Sequence, residues 1–155
     1  MAERTHESPH AHHLRKGRHA CAGQIYLITT VTRDREPLFS DLYRGRAVVQ
    51  ALRDARLSTR SLAFVIMPDH LHWLMQLREG YALSDVVHFV KSDSARLVNR
   101  LRNGWGSVWQ KGFHDRAIRR EELLQVHARY IVNNPVRAGI VDSPHRYSLW
   151  DSVWV

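Results

Sequence analysis

The chain has 155 residues, 44% hydrophobic and 25% charged, which fits one soluble domain and excludes a wholly disordered chain, a collagen-like chain and a coiled-coil rod. No run approaches the roughly 18 consecutive apolar residues of a membrane span. The N-terminus lacks an apolar signal core, and the single cysteine, Cys21, allows neither an internal disulfide nor a Cys-based zinc site, so a reducing, cytoplasmic setting is expected. Lys+Arg outnumber Asp+Glu by 23 to 15, a net charge of +8 that points to a polyanionic partner, either nucleic acid or an anionic membrane surface.

Residues 1–20 carry five histidines and almost no large apolar side chains, so they are expected to form a mobile tail. Ile25 to Thr32 is rich in β-branched and aromatic residues and reads as a strand. Ala47, Val48, Ala51, Leu52 and Ala55 recur at helical spacing, predicting a helix from Asp41 to Leu57. Leu62 to Met67 is a continuous apolar run that suits a strand buried on both faces. Pro68-Asp69 is a turn pair, and His70 to Leu77 returns as the second arm of a hairpin.

Ser84 is placed to cap a second helix, whose apolar face runs from Val86 to Leu101 and which Asn103-Gly104 ends. Phe113 to Arg119 is a bent strand or a loop. A third helix spans Glu121 to about Asn134, with acids in its first turn and Pro135 as its stop. Residues 146–155 hold Tyr147, Trp150 and Trp154, too aromatic for a solvated tail, and are expected to dock. The element order describes an α+β domain, a ferredoxin or RNA-recognition-motif-like antiparallel sheet with helices packed on one face.

Alternation along the His70–Leu77 strand places Leu71, Trp73, Met75 and Leu77 on one face, the core side. His70 and His72 then share the other face with Leu74 and Gln76. Two imidazoles one pleat repeat apart can converge on one ion, and they can equally be two surface histidines. On the third helix, Tyr130 and Asn134 are neighbours at i and i+4. A tyrosine hydroxyl can act as a covalent nucleophile and an Asn carbonyl as a metal ligand; alternatively, Tyr130 is an amphipathic anchor and Asn134 a helix C-cap. Between Lys91 and Arg120 lie eight cations against Asp93 and Asp115, which reads as a solvated basic face or as a track for a nucleic-acid backbone. Trp105 and Trp109 lie within it as candidates for base stacking.

Met67-Pro68-Asp69-His70-Leu71-His72 followed by Tyr130-Ile131-Val132-Asn133-Asn134-Pro135-Val136-Arg137-Ala138-Gly139 resembles the IS200-type transposases, and most of all their REP-associated tyrosine branch among the HUH single-strand DNA nucleases. Trp109 to Arg119 and the opening strand leading to Leu38-Phe39 carry the same resemblance, which spans about residues 23–145. It implies that His70, His72 and Asn134 bind a divalent cation, Mg²⁺ or Mn²⁺, and that Tyr130 is the nucleophile, forming a 5′-phosphotyrosine link. The substrate implied is single-stranded or hairpin DNA of repetitive palindromic type. Lys91, Arg116, Arg119, Arg120 and Arg137 are the expected DNA contacts. The expected organisation is a tail over 1–20, a catalytic domain over 21–145 and a docked aromatic segment over 146–155. A monomer in the cytoplasm, associated with the nucleoid and with no protein partner, is expected. Asp69 stands where the family often has Asn, and no second tyrosine lies near Tyr130. The competing class is a non-catalytic nucleic-acid-binding module on the same scaffold, which would need stacking aromatics on the sheet face rather than two histidines.

Overall fold

A computed structural model describes residues 23–119 and 123–154; the His-rich segment 1–20, Arg120 and the predicted helix start at Glu121 lie outside these residues. Five strands, β1 (Ile25–Val31), β2 (Thr59–Met67), β3 (His70–Leu77), β4 (His114–Ile118) and β5 (Trp150–Ser152), form one sheet in the order β4-β1-β3-β2-β5. Every neighbouring pair is antiparallel. The helices are α1 (Leu42–Asp54), α2 (Leu83–Leu101), α3 (Leu124–Val132) and the single turn α4 (Asn134–Arg137). The α+β class and the ferredoxin-like strand order are therefore those expected. No helix among the described residues is long and apolar enough to cross a membrane.

Local chemistry sets the element ends. Asp41 caps α1, its carboxylate accepting from the amides of Tyr43 and Arg44 at 2.9 and 3.2 Å. Ser84 caps nothing: α2 already begins at Leu83, after Ala82, and its N-cap makes no side-chain hydrogen bond. Buried Leu83 anchors that end by packing instead. At the far end Asn103 adopts a left-handed φ of 49° and the Gly104 amide reaches back to the Asn99 carbonyl at 2.9 Å, so the Asn-Gly pair does stop the helix. β2 starts at Thr59, three residues before its apolar run, with a bulge between Ser61 and Ala63.

The two long helices cover one face. Tyr26, Ile28, Phe64, Ile66, Leu71, Trp73, Met75 and Leu77 pack there against Val48, Ala51, Val87, Val90 and Val98. The third helix departs from the one-face expectation. Leu124, Ala128 and Ile131 of α3 bury against Val65, Met67, Leu74 and Ile118, on the opposite face. The reason lies in β2, whose apolar residues point both ways and need two covers. α3 thus lies on the face that carries the paired histidines. The C-terminal residues return along β2: the Leu149 carbonyl accepts from the Ile66 amide at 2.9 Å and the Tyr147 hydroxyl donates to the Ile66 carbonyl at 2.6 Å.

Candidate functional site

The site begins at the tight turn between β2 and β3. Met67 pairs directly with His70, leaving Pro68 and Asp69 as the turn. The turn is pinned from outside: the Thr32 amide donates to the Asp69 carbonyl and the Phe39 amide to the Pro68 carbonyl, both at 2.9 Å. The Asp69 carboxylate then does two things. Oδ1 lies 2.7 Å from His70 Nδ1, and Oδ2 accepts from Arg35 Nε at 3.1 Å. Arg35 reaches it from a loop in which Asp34 and Arg35 both hold left-handed φ values, 57° and 55°, a strained pair in non-glycine residues.

A carboxylate only accepts, so His70 Nδ1 carries a proton, which leaves Nε2 as the nitrogen able to ligate. Thr29 does the equivalent for His72. It stands directly across from His72 in the β1–β3 register, with Oγ1 3.0 Å from Nδ1. In the tautomer whose Nδ1–H donates to this hydroxyl, the His72 lone pair is on Nε2. The rings sit edge to face with centroids 4.8 Å apart. Burial first, and then the nearby His70 and Arg137, pull the His72 pKa down to about 4, so its ring is neutral at pH 7. Two adjacent imidazoles with their Nδ1 atoms engaged suit divalent-metal ligation through Nε2. Among the described residues, no group of three or more His, Cys, Asp and Glu is placed to hold an ion.

Tyr130 lies on the outer side of α3, 57% exposed, while Ala128 and Ile131 beside it are buried. α3 ends at Val132, with Asn133 rather than Asn134 at its C-cap. Asn133 caps it, with its side-chain amide donating to the Arg129 carbonyl at 2.9 Å, and Asn134 opens α4 with Pro135 in its first turn. The C-cap alternative for Asn134 is thereby excluded, and its side chain is partly buried. The one-turn return of α4 lays Arg137 over Tyr130, the guanidinium carbon 3.5 Å from the ring centroid. His127 is partly buried, its pKa lowered by burial and then by Arg116.

The expected DNA contacts divide. Arg116 on β4 is exposed and stands across from Leu27, which pairs with Leu74, so it shares the histidine face. Arg119 follows β4 and is exposed. Lys91 points elsewhere: Nζ donates to the carbonyls of Gln110 and Gly112 at 2.8 and 2.7 Å, and burial lowers its pKa to about 8. It holds the 107–113 loop against α2, beside a cleft of ≈ 620 Å³ lined by Val87, Val108 and Phe113. Trp109 is no stacking platform; it is 7% exposed, packs on Phe39 and donates to the Ser94 hydroxyl at 2.9 Å. Trp105 is 89% exposed.

Sequence reasoning missed three residues here. Thr29 and His114 face each other across β1 and β4, so that His72, Thr29 and His114 form one cross-strand row. The alternation of His114 and Arg116 was the available signal. Arg35 gave none, because it meets Asp69 only through a left-handed loop.

Comparison with known proteins identifies relatives of this arrangement. The profile of the family described as "Transposase IS200 like" matches residues 22–134. A Haemophilus influenzae protein assigned to the REP-associated tyrosine transposases is 30% identical over 138 residues, covering 77% of this chain and 74% of that protein. The solved structure of a REP-associated tyrosine transposase bound to a REP hairpin superimposes with a TM-score of 0.67 at 25% identity, over 86% of this chain and 79% of the other. A crystal structure of a Deinococcus radiodurans protein assigned as a transposase shares the fold, with a TM-score of 0.53 at 19% identity over 76% of this chain and 95% of the other.

Proposed function

Because the chain belongs to the IS200-like transposase family, we propose that it is a metal-dependent single-strand DNA endonuclease and strand transferase that acts through a covalent 5′-phosphotyrosine on Tyr130. The observation that carries this reading is the matched pair of imidazoles, each fixed through Nδ1, on the sheet face that α3 covers. His70 and His72 would present Nε2, and Asn134 its side-chain oxygen, to Mg²⁺ or Mn²⁺. Two imidazole nitrogens favour Mn²⁺ of the two. When bound, such an ion supplies Lewis-acid polarisation of the scissile phosphate.

Tyr130 Oη attacks phosphorus and gives up its proton. The new oxygen–phosphorus bond replaces the bond to the 3′-oxygen, which leaves as a hydroxyl after taking a proton. A 3′-hydroxyl from the same or another strand reverses the step and rejoins DNA, so the bond energy is kept and no nucleotide hydrolysis is needed. The relative bound to a REP hairpin supports a hairpin-forming, repetitive palindromic substrate. Arg116, on the histidine face, and the exposed Arg119 would meet its phosphates. The non-catalytic alternative loses ground because α3 occupies the sheet face that such modules leave open for stacking.

The test is cleavage of a 3′-labelled single-stranded hairpin with Mn²⁺. His70→Ala, His72→Ala and the double variant should lose cutting to background while keeping a wild-type thermal transition, and calorimetry should show loss of Mn²⁺ binding. Undiminished metal-dependent cutting by the double variant would sink the assignment.

A further inference from the structure

Arg137 belongs to the charged set expected on DNA, yet its exposed guanidinium is already engaged by Tyr130. α3 ends at the Asn133 cap, and, as at any helix end, its last carbonyls lack intrahelical partners. Tyr130 owns one of them. Arg137 Nη2 donates to that carbonyl at 2.6 Å, while the guanidinium carbon lies over the same residue's ring, 3.5 Å from its centroid. One side chain thus grips both the backbone and the ring of one tyrosine. The one-turn α4 helix makes this possible by folding position 137 back over position 130.

The ring needs such a grip. Tyr130 is 57% exposed, and an exposed phenol on a helix surface samples several rotamers. An attacking oxygen that must find its line to phosphorus from that spread pays an ordering cost at the moment of reaction. We propose that Arg137 is a positioning residue that holds the Tyr130 ring in one orientation before DNA arrives, rather than a contact that tracks the DNA backbone. This rests on the reading of Tyr130 as the nucleophile. Lysine cannot replace it, because an ammonium has no plane to stack and no rigid fork to reach the carbonyl together with the ring.

The experiment compares wild type with Arg137→Ala and Arg137→Lys in full-length protein. In single-turnover reactions at saturating hairpin DNA with Mn²⁺, both variants should form the covalent adduct roughly 100-fold more slowly. Hairpin Kd and its dependence on salt should be unchanged. Added guanidinium ion should restore part of the rate to Arg137→Ala and none to Arg137→Lys, an effect that loss of packing alone would not give. Ring ¹³C relaxation of labelled tyrosine in DNA-free protein should show an ordered Tyr130 ring in wild type and a mobile one in both variants. Adduct formation at the wild-type rate by Arg137→Ala would overturn the proposal. So would a loss confined to affinity with a salt slope shallower by about one ion, the signature of a phosphate contact. Equal ring mobility in all three proteins would overturn it whether or not DNA is cut. A clamp that orders the ring in a wild-type protein forming no adduct would instead count against Tyr130 as nucleophile and leave the grip itself standing.

Discussion

Asp69 shows how one residue's role escapes a sequence. Read along the chain it is a turn former; in the fold its two oxygens join Arg35 to His70 and leave Nε2 as the imidazole nitrogen able to ligate. The residue pattern could place His70 and His72 on one face, because strand alternation is local. It could not show Thr29 or Arg35, because their partners lie far along the chain. Tyr147 is a second long-range residue with a measurable signature. Burial pushes its phenol up to about 12 from 10.0, and its hydroxyl donates to the Ile66 carbonyl at 2.6 Å. The folded pKa lies above the unfolded one, so the stabilisation is complete below pH 10 and is lost as pH rises through about 12. Tyr147→Phe should cost about 1 kcal/mol in urea unfolding at neutral pH. It should also remove one phenol ionising near pH 12 from the alkaline absorbance titration. A difference spectrum with its midpoint at pH 10 would contradict the buried donor.

Among the elements, β3 was legible to its ends, since His70–Leu77 alternates cleanly after a Pro-Asp turn. The third helix was legible as a helix but not in its placement. Leu74 on the histidine face and the two-sided apolar run of β2 were the signal that a second cover was needed. The attachment of the C-terminal segment depends on a contact no periodicity predicts. Gly45 sits inside α1 directly under Leu149, so close that a methyl group there would overlap Leu149 Cδ1. In an open helix Ala would be favoured over Gly by about 1 kcal/mol. Here overpacking, worth about 1–3 kcal/mol, works against it at a buried position. Gly45→Ala should therefore destabilise on balance. In a Leu149→Ala background, where the room has been made, the same change should be neutral or stabilising. Chemical denaturation of the four proteins of this double-mutant cycle measures the coupling. Gly45→Ala that stabilises the otherwise wild-type protein would contradict the packing.

Across the described residues, the excess of cations is not one patch. Of the eight cations counted between Lys91 and Arg120, Lys91 and Arg116 part company in the fold. Lys91 turns inward to loop carbonyls, and Arg116 joins the histidine face. A linear count carries the sign of the partner and not its footprint, which is why the charge pointed to a polyanion while the histidine pair and α3 mark the candidate site. The central claim is that Tyr130, one of five tyrosines, is the nucleophile. It is tested most directly by incubating the protein with a 3′-labelled single-stranded hairpin and Mn²⁺ and locating the nucleotide by mass spectrometry. The account predicts an SDS-resistant labelled protein band with the nucleotide on Tyr130. That band should be lost in Tyr130→Phe, which removes only a hydroxyl, and kept when Tyr26, Tyr43, Tyr81 or Tyr147 is changed to Phe. Cleavage at the wild-type rate by Tyr130→Phe would make water the nucleophile and contradict it.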